Sequence, residues 1–232
     1  MELKNAVVFI TGANRGLGLA FAREALARGA RKVYAAARDP STVRLAGVEP
    51  VKLDVTRPDE VAAVAARARD VTVLINNAGI AATGGFLAPG SADSARRHLE
   101  TNLIGPLLMA QAFAPALAAN GGGALLNVLS IASWINRPLL GVYGMSKSAA
   151  WALTNGLRHE LREQGTQVLG LHMGFVDTDL TRGIDAPKST PQAIVSEAFD
   201  ALEAGEEEVL ADEATRAVKL GLSVRPAVYL QA

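Results

Sequence analysis

The chain has no cysteine among its 232 residues. That excludes disulfides, thiolate nucleophiles and cysteine-bound metals, and it fits a reducing compartment, here expected to be the cytoplasm. It has no net charge either, because 23 Lys+Arg balance 23 Asp+Glu. No basic surplus points to nucleic acid or to an anionic membrane. Histidine is scarce, with three in all. His159-Glu160-Leu161-Arg162-Glu163 puts Glu where a zinc-binding H-E-x-x-H needs its second His, so no metal site is expected. The start, MELKNAVVFITG, does not read as a signal peptide: its apolar run is short, an acid follows Met1, and glycine arrives early. Repeats, low-complexity tracts and linkers are absent. From Thr101 to Asn136 there is no charged residue. Leu103 to Ala119 approaches the length of a membrane span. Pro106, Gln111 and Pro115 interrupt it and Gly121-Gly122-Gly123 ends it. The expectation is therefore no membrane, but a buried helix, suited to a subunit interface, followed by a buried strand.

What is present is ample apolar content, 50% of residues against 20% charged, enough for a sizeable core. Short apolar runs occur at Ala6–Ile10, Lys32–Ala37, Pro50–Leu53, Val71–Ile75, Leu125–Leu129 and Gln167–Leu171, with a shorter one at Val209–Leu210. Near-continuous apolar runs of this length suit strands buried on both faces of a parallel sheet. Helical patterns lie between them: Leu19–Arg28, about 57–68, a long helix capped by Ser91-Ala92-Asp93 and running toward Ala119, Val142 to near Gln164, and Thr190-Pro191 to about Ala204. Alternating strands and helices predict an α/β fold. It is a single-domain, Rossmann-like, doubly wound parallel sheet of about seven strands with helices on both faces. In such a sheet ligands bind at the carboxyl ends of the strands.

Several polar motifs follow predicted strands directly. Thr11-Gly12-Ala13-Asn14-Arg15-Gly16-Leu17-Gly18 joins the first strand to a helix. Glycines there let the backbone turn toward a phosphate, and the helix N-terminus offers free N–H groups. Arg38 ends the second strand, where an Arg suits the 2′-phosphate of NADP rather than the 2′-hydroxyl of NAD; Arg15 adds a second cation. Asp54-Val55 ends the third strand and Asn77-Ala78-Gly79 the fourth. Ser130 ends the fifth, Tyr143 follows thirteen residues later, and Lys147 lies four beyond Tyr143. On a helix that spacing places phenol and ammonium on one face, where the cation favours phenolate. Ser130 lacks the G-x-S-x-G elbow of a hydrolase nucleophile, and no glycine precedes Lys147 as a P-loop requires.

Together these residues resemble the short-chain dehydrogenase/reductase family over roughly Lys4 to Thr178. The TGANRGLG turn, NNAG at Asn76 to Gly79, Asn102 in TNLIG, and the Ser130, Tyr143, Lys147 set carry the resemblance. It implies NADP(H) as cofactor and a hydride exchanged between nicotinamide and a small-molecule carbonyl or alcohol. Tyr143 would act as general acid or base, Ser130 would hold the substrate oxygen, and Lys147 would bond the nicotinamide ribose. Asn102 would anchor a water that relays protons to Lys147. The glycine turn, Arg38, Asp54, Val55, Asn77, Ala78, Gly79, Tyr143, Lys147, Gly174, Val176 and Thr178 would bind cofactor. A homodimer or homotetramer is implied. The substrate-pocket region is expected over about 179–204, with Ser133, Trp134, Val142, Phe175 and Ile184 lining the pocket.

There are departures from the family pattern. Met173-Gly174 stands where the family often has Pro-Gly, and proline's fixed φ is lost. His172 beside it suits a packed, hydrogen-bonded structural role, with contact to substrate as the alternative. A second reading is a non-catalytic NADP-binding regulator or scaffold of the same fold. A third is an isomerase or dehydratase using the same tyrosine.

Overall fold

In the computed structural model, residues 1–231 are described, and seven parallel strands form one sheet in the order β3-β2-β1-β4-β5-β6-β7. They are β1 Val7–Thr11, β2 Lys32–Ala37, β3 Glu49–Lys52, β4 Val73–Asn76, β5 Ala124–Val128, β6 Gln167–His172 and β7 Glu208–Leu210. The order reverses between β1 and β4, which makes that junction the switch point where an open α/β sheet holds its ligand. Helices α1 (Gly16–Ala27) and α6 (Pro191–Glu203) cover one face with Ile10, Ile75, Leu126 and Leu169 beneath them. Helices α2 (Pro58–Arg67), α4 (Gly105–Ala119) and α5 (Gly141–Glu160) cover the other, over Phe9, Leu74, Leu125 and Val168. Neighbouring strand residues thus serve opposite cores, as the two-residue period of a strand requires.

The long helix is not continuous. α3 (Ser91–Leu99) passes into a π-helical stretch, Glu100–Ile104, before α4 begins. Its cap also differs from expectation. Gly90, at φ 79°, is the N-cap, and Ser91 turns back to donate to the Phe86 carbonyl at 2.6 Å. Ser91–Ala119 is long and apolar enough to cross a membrane by length and composition alone. Its apolar residues Met109, Phe113 and Leu117 are fully buried against the sheet, as in a core helix. α5 stops at Glu160, four residues short of the expected end, and turns lead on to Gly165.

Three polar side chains cross the apolar interior. Asn76 Nδ2 donates to Asn127 Oδ1 at 2.9 Å, and Asn127 Nδ2 donates to Thr154 Oγ1 at 2.9 Å. Thr154 returns its own proton to the Ala150 carbonyl at 2.8 Å. β4, β5 and α5 are therefore joined by a buried hydrogen-bonded chain. The region expected to shape the pocket, about 179–204, divides in two. Its second half is α6, whose Ile194, Val195, Ala198, Phe199 and Leu202 are core residues, with Phe199 edge-on to Phe21 of α1 at 5.3 Å. Only the segment before α6 is free to border a pocket. The chain ends in α7 (Glu213–Gly221) and a short 3-10 turn, Val228–Leu230.

Candidate active site

The glycine turn is locked from behind. Thr11 Oγ1 accepts the N–H groups of Asn77 (3.0 Å) and Ala78 (2.9 Å), and Asn77 Nδ2 donates to the carbonyls of Thr11 (2.8 Å) and Gly12 (3.1 Å). Asn77, expected beside the cofactor, therefore spends its amide on holding β1 and β4 ends together. Gly12 and Gly16 have positive φ, +66° and +54°. Gly18 is demanded by contact instead: a Cβ there would lie 2.1 Å from the Gly12 carbonyl oxygen. Arg15 precedes α1, and among the described residues no side chain caps that helix. Asn14 bonds Thr42 at 3.1 Å, and the exposed Arg15 pairs with Asp179 at 3.2 Å. Leu17 packs on the core beneath the turn.

Arg38 is exposed at the end of β2, and its charge reaches Asp54 after β3, whose carboxyl lies below its ordinary range. Burial alone would raise that carboxyl; two hydrogen bonds from Thr56, with Arg38 and Arg57, outweigh it. Val55 packs onto Gly105 so closely that a Cβ there would come within 2.8 Å of its Cγ2, bringing the start of α4 up to the end of β3. Beyond β4, a Cβ on Gly79 would lie 3.3 Å from Asn102 Oδ1 and 3.9 Å from Lys147 Nζ. Thr178, after β6, closes over Gly16 from the opposite side, and Val176 is buried.

Ser130, Tyr143, Lys147 and Asn102 converge beside this turn. Lys147 is buried, donates to the Val128 carbonyl at 2.8 Å, and holds its Nζ 5.9 Å from the Tyr143 ring centre. Asn102 sits on the π-helical stretch. Its Oδ1 accepts from the Ile80 N–H at 2.9 Å, and its Nδ2 donates to the Ile80 carbonyl (2.9 Å) and to Ser146 Oγ (3.0 Å). Both amide hydrogens are thus committed to protein. Ser146, fully buried, donates in turn to the Tyr143 carbonyl at 2.7 Å.

The model of the short chain dehydrogenase family matches residues 6–189. A short chain dehydrogenase of Burkholderia cenocepacia, solved in complex with NADP, is 37% identical, covers 100% of both chains and has a TM-score of 0.95. This chain belongs to the short-chain dehydrogenase family. An uncharacterized oxidoreductase of Staphylococcus saprophyticus is 28% identical over 88% of this chain and 93% of its own. A short chain dehydrogenase/reductase of Burkholderia phymatum, solved with NAD, is 26% identical over 95% of this chain and 94% of its own, with a TM-score of 0.84.

Two ionisations in this short-chain dehydrogenase differ from what the helical spacing suggests. In the ligand-free protein, burial raises the Tyr143 phenol, against a smaller lowering by the Ser130 hydroxyl. Burial also lowers Lys147 to about 8. Four residues of helix bring the two groups onto one face, but desolvation is the largest cause of both shifts.

The residues expected to line the pocket fare unevenly. Phe175 and Ile184 are half-buried on the segment before α6, and Ser133 and Val142 are buried. Trp134 is half-buried. It stacks on His172 with ring centres 3.9 Å apart and meets Trp151 edge-on at 6.2 Å. Lys219 of α7 lies 4.6 Å over its ring. Sequence reasoning also passed over Ser146, Thr11, His98 and Asp212. His98 Nε2 accepts the Ala82 N–H at 3.1 Å while Nδ1 lies 2.8 Å from the Ser94 carbonyl, which fixes the loop after Gly79. Thr11 and Ser146 lie within recognised motifs, which could have signalled them; the others make contacts that no local pattern marks.

Proposed function

We propose that this protein is an NADP(H)-dependent oxidoreductase that interconverts a carbonyl and an alcohol, with Tyr143 as general acid in reduction and general base in oxidation. The observation that carries the reading is the convergence of Ser130, Tyr143 and Lys147 at the strand edge beside the β1–α1 turn. The residues fit a nicotinamide dinucleotide. The turn leaves no room for a Cβ at Gly18, α1 points its N-terminus at the same place, and Arg38 stands exposed where the 2′-phosphate would lie. The NADP in the Burkholderia cenocepacia protein supports that choice, while the NAD in the Burkholderia phymatum protein shows that the family takes either.

When bound, the cofactor supplies the hydride or accepts it. The protein does the rest. Ser130 and Tyr143 grip the substrate oxygen, and Tyr143 moves the proton on that oxygen. Lys147 adds a positive charge next to the phenol; binding in the site displaces water and strengthens that charge's pull on phenolate. Gly12, Gly16 and Gly18 admit the pyrophosphate, Asp54, Val55, Ala78 and Gly79 border the adenosine half, and Gly174, Val176 and Thr178 hold the nicotinamide end. The segment 179–189 and Phe175 border the substrate. Half-buried Leu103, Ile104, Leu107 and Leu108 suit a homodimer or homotetramer contact, and a cysteine-free chain suits the cytoplasm.

The decisive experiment follows NADPH oxidation with a panel of aldehydes and ketones, for the wild type and for Tyr143→Phe. Turnover that vanishes in the variant, with NADPH binding retained, is the expected result. Turnover that survives it would refute Tyr143 as the proton donor. NADPH binding without turnover on any substrate would favour the regulatory reading.

A further inference from the structure

We propose that Asp212 is a positioning residue that sets the nicotinamide-binding loop by tying it to helix α7; this rests on the reading that Gly174, Val176 and Thr178 hold that end of the cofactor. Asp212 is the N-cap of α7, and its carboxylate is divided between two tasks. Oδ1 accepts the Thr215 N–H at 2.8 Å and the Thr215 hydroxyl at 2.7 Å, which caps the helix. Oδ2 accepts the Gly174 N–H at 2.6 Å, thirty-eight residues away in the chain. Gly174 eases this approach, because a Cβ there would crowd Oδ2 at 3.3 Å.

Three successive residues leaving β6 are pinned in this way. The His172 carbonyl accepts from the Ala211 N–H (3.0 Å), the Met173 carbonyl from the Ile131 N–H (2.8 Å), and the Gly174 N–H donates to Asp212. The first bond extends the β6–β7 pairing and the second reaches the turn after Ser130. Only the third uses a side chain, and only that one depends on residue type. Met173 has no ring to restrain its backbone, so the restraint on the loop comes from across the fold. The bond is charge-assisted, a class roughly twice as strong as its neutral counterpart. Its anchor is firm. Thr215 is fully buried, and Lys219, one turn further along α7, pairs with Glu208 at 2.8 Å and lies over Trp134.

A carboxylate suits both tasks because it offers two acceptor oxygens on a short stem. Serine caps a helix as well as aspartate does but has no second oxygen to reach Gly174. Asp212→Ser therefore separates the two roles. The test measures binding of NADPH and of 2′,5′-ADP, which lacks the nicotinamide, together with amide exchange over 173–178 in the ligand-free protein. For D212S, NADPH binding should weaken about tenfold. Binding of 2′,5′-ADP should not change, and the loop should exchange faster. NADPH affinity and loop exchange equal to wild type would overturn the proposal and leave Asp212 a helix cap. A wild-type protein that binds neither ligand would overturn the cofactor reading and this proposal with it. Should D212S fail to fold, Asp212→Asn, with one acceptor for two tasks, is read by the same criteria.

Discussion

Buried His172 should make the fold acid-sensitive in a calculable way. Its ring has no exposed surface, stacks on Trp134, and places Nδ1 3.1 Å from the Ser130 carbonyl. A carbonyl only accepts, so Nδ1 carries the hydrogen and Nε2 keeps a lone pair. Nε2 stands 3.6 Å from Glu208 Oε1. Burial holds the imidazole down to about 4 from its ordinary 6.5; Ser130 and Glu208 oppose the shift, while Lys219 and Arg158 add to it. Between those two values the unfolded chain binds a proton that the native fold refuses. Stability therefore falls as pH drops through that window and is untouched above it. At about 1.36 kcal/mol per pH unit, the loss from pH 7 to pH 4.5 is about 2.5 kcal/mol from this group. Carboxylates titrate over the same range, so the measurement is a difference. Urea denaturation of wild type and His172→Gln, each at pH 7 and pH 4.5, isolates it. The variant keeps a donor for Ser130 but does not titrate. It should be the less stable protein at pH 7, yet lose about 2.5 kcal/mol less on acidification. Equal acid losses in the two proteins would refute a neutral, buried imidazole.

Lys147→Met should abolish turnover while stabilising the ligand-free protein by about 2 kcal/mol at pH 7, since a buried ammonium is replaced by an apolar chain; a thermal melt showing marked destabilisation would contradict the burial described for Lys147. Gly18→Ala should cost about 1–3 kcal/mol through overpacking against the Gly12 carbonyl and eliminate NADPH binding, as followed by calorimetry and cofactor fluorescence. Arg38→Asp should reverse the preference from NADPH toward NADH, read as the ratio of kcat/KM for the two cofactors; an unchanged ratio would remove Arg38 from the 2′-phosphate site.

Much of the fold was legible because parallel strands buried on both faces read as short apolar runs, and each helix between them carried its own period. All seven runs became strands, some displaced by a residue or two at the ends. The β1–α1 turn was legible for a similar reason: its glycines are required by backbone shape at Gly12 and Gly16 and by close contact at Gly18, and sequence exposes them directly. What stayed hidden depends on distant partners. Nothing in Glu100–Ile104 marks a π-helical stretch; it belongs with the bonds from Asn102 to Ile80 and the seat of Gly105 against Val55. The place of Trp134 between Ser130 and Tyr143 suggests a pocket residue, and nothing there marks its stacking on His172 of the neighbouring strand. Lys147 shows the limit of spacing arguments. Spacing places it on the face of Tyr143, but burial, which a helical repeat does not report, sets the direction in which both ionisations shift. α6 was assigned to the pocket from its place in the chain, and its apolar stripe instead completes the core over α1.

The hydrogen-bonded chain from Asn76 through Asn127 to Thr154 governs how accurately the strand edge is assembled. β4 and β5 are apolar on both faces, so a one-residue slip, which exchanges their faces, still leaves apolar side chains against both cores. Asn76 and Asn127 are direct partners across the two strands. A slip would part them and leave amides unmatched in the interior, at roughly 1–3 kcal/mol for each. It would also shift Ser130, three residues beyond Asn127, by about 3.3 Å against Ala78 and Gly79 beyond Asn76. The amide pair works as an alignment mark: a mismatch that apolar side chains would tolerate becomes costly before the reacting groups have left their places.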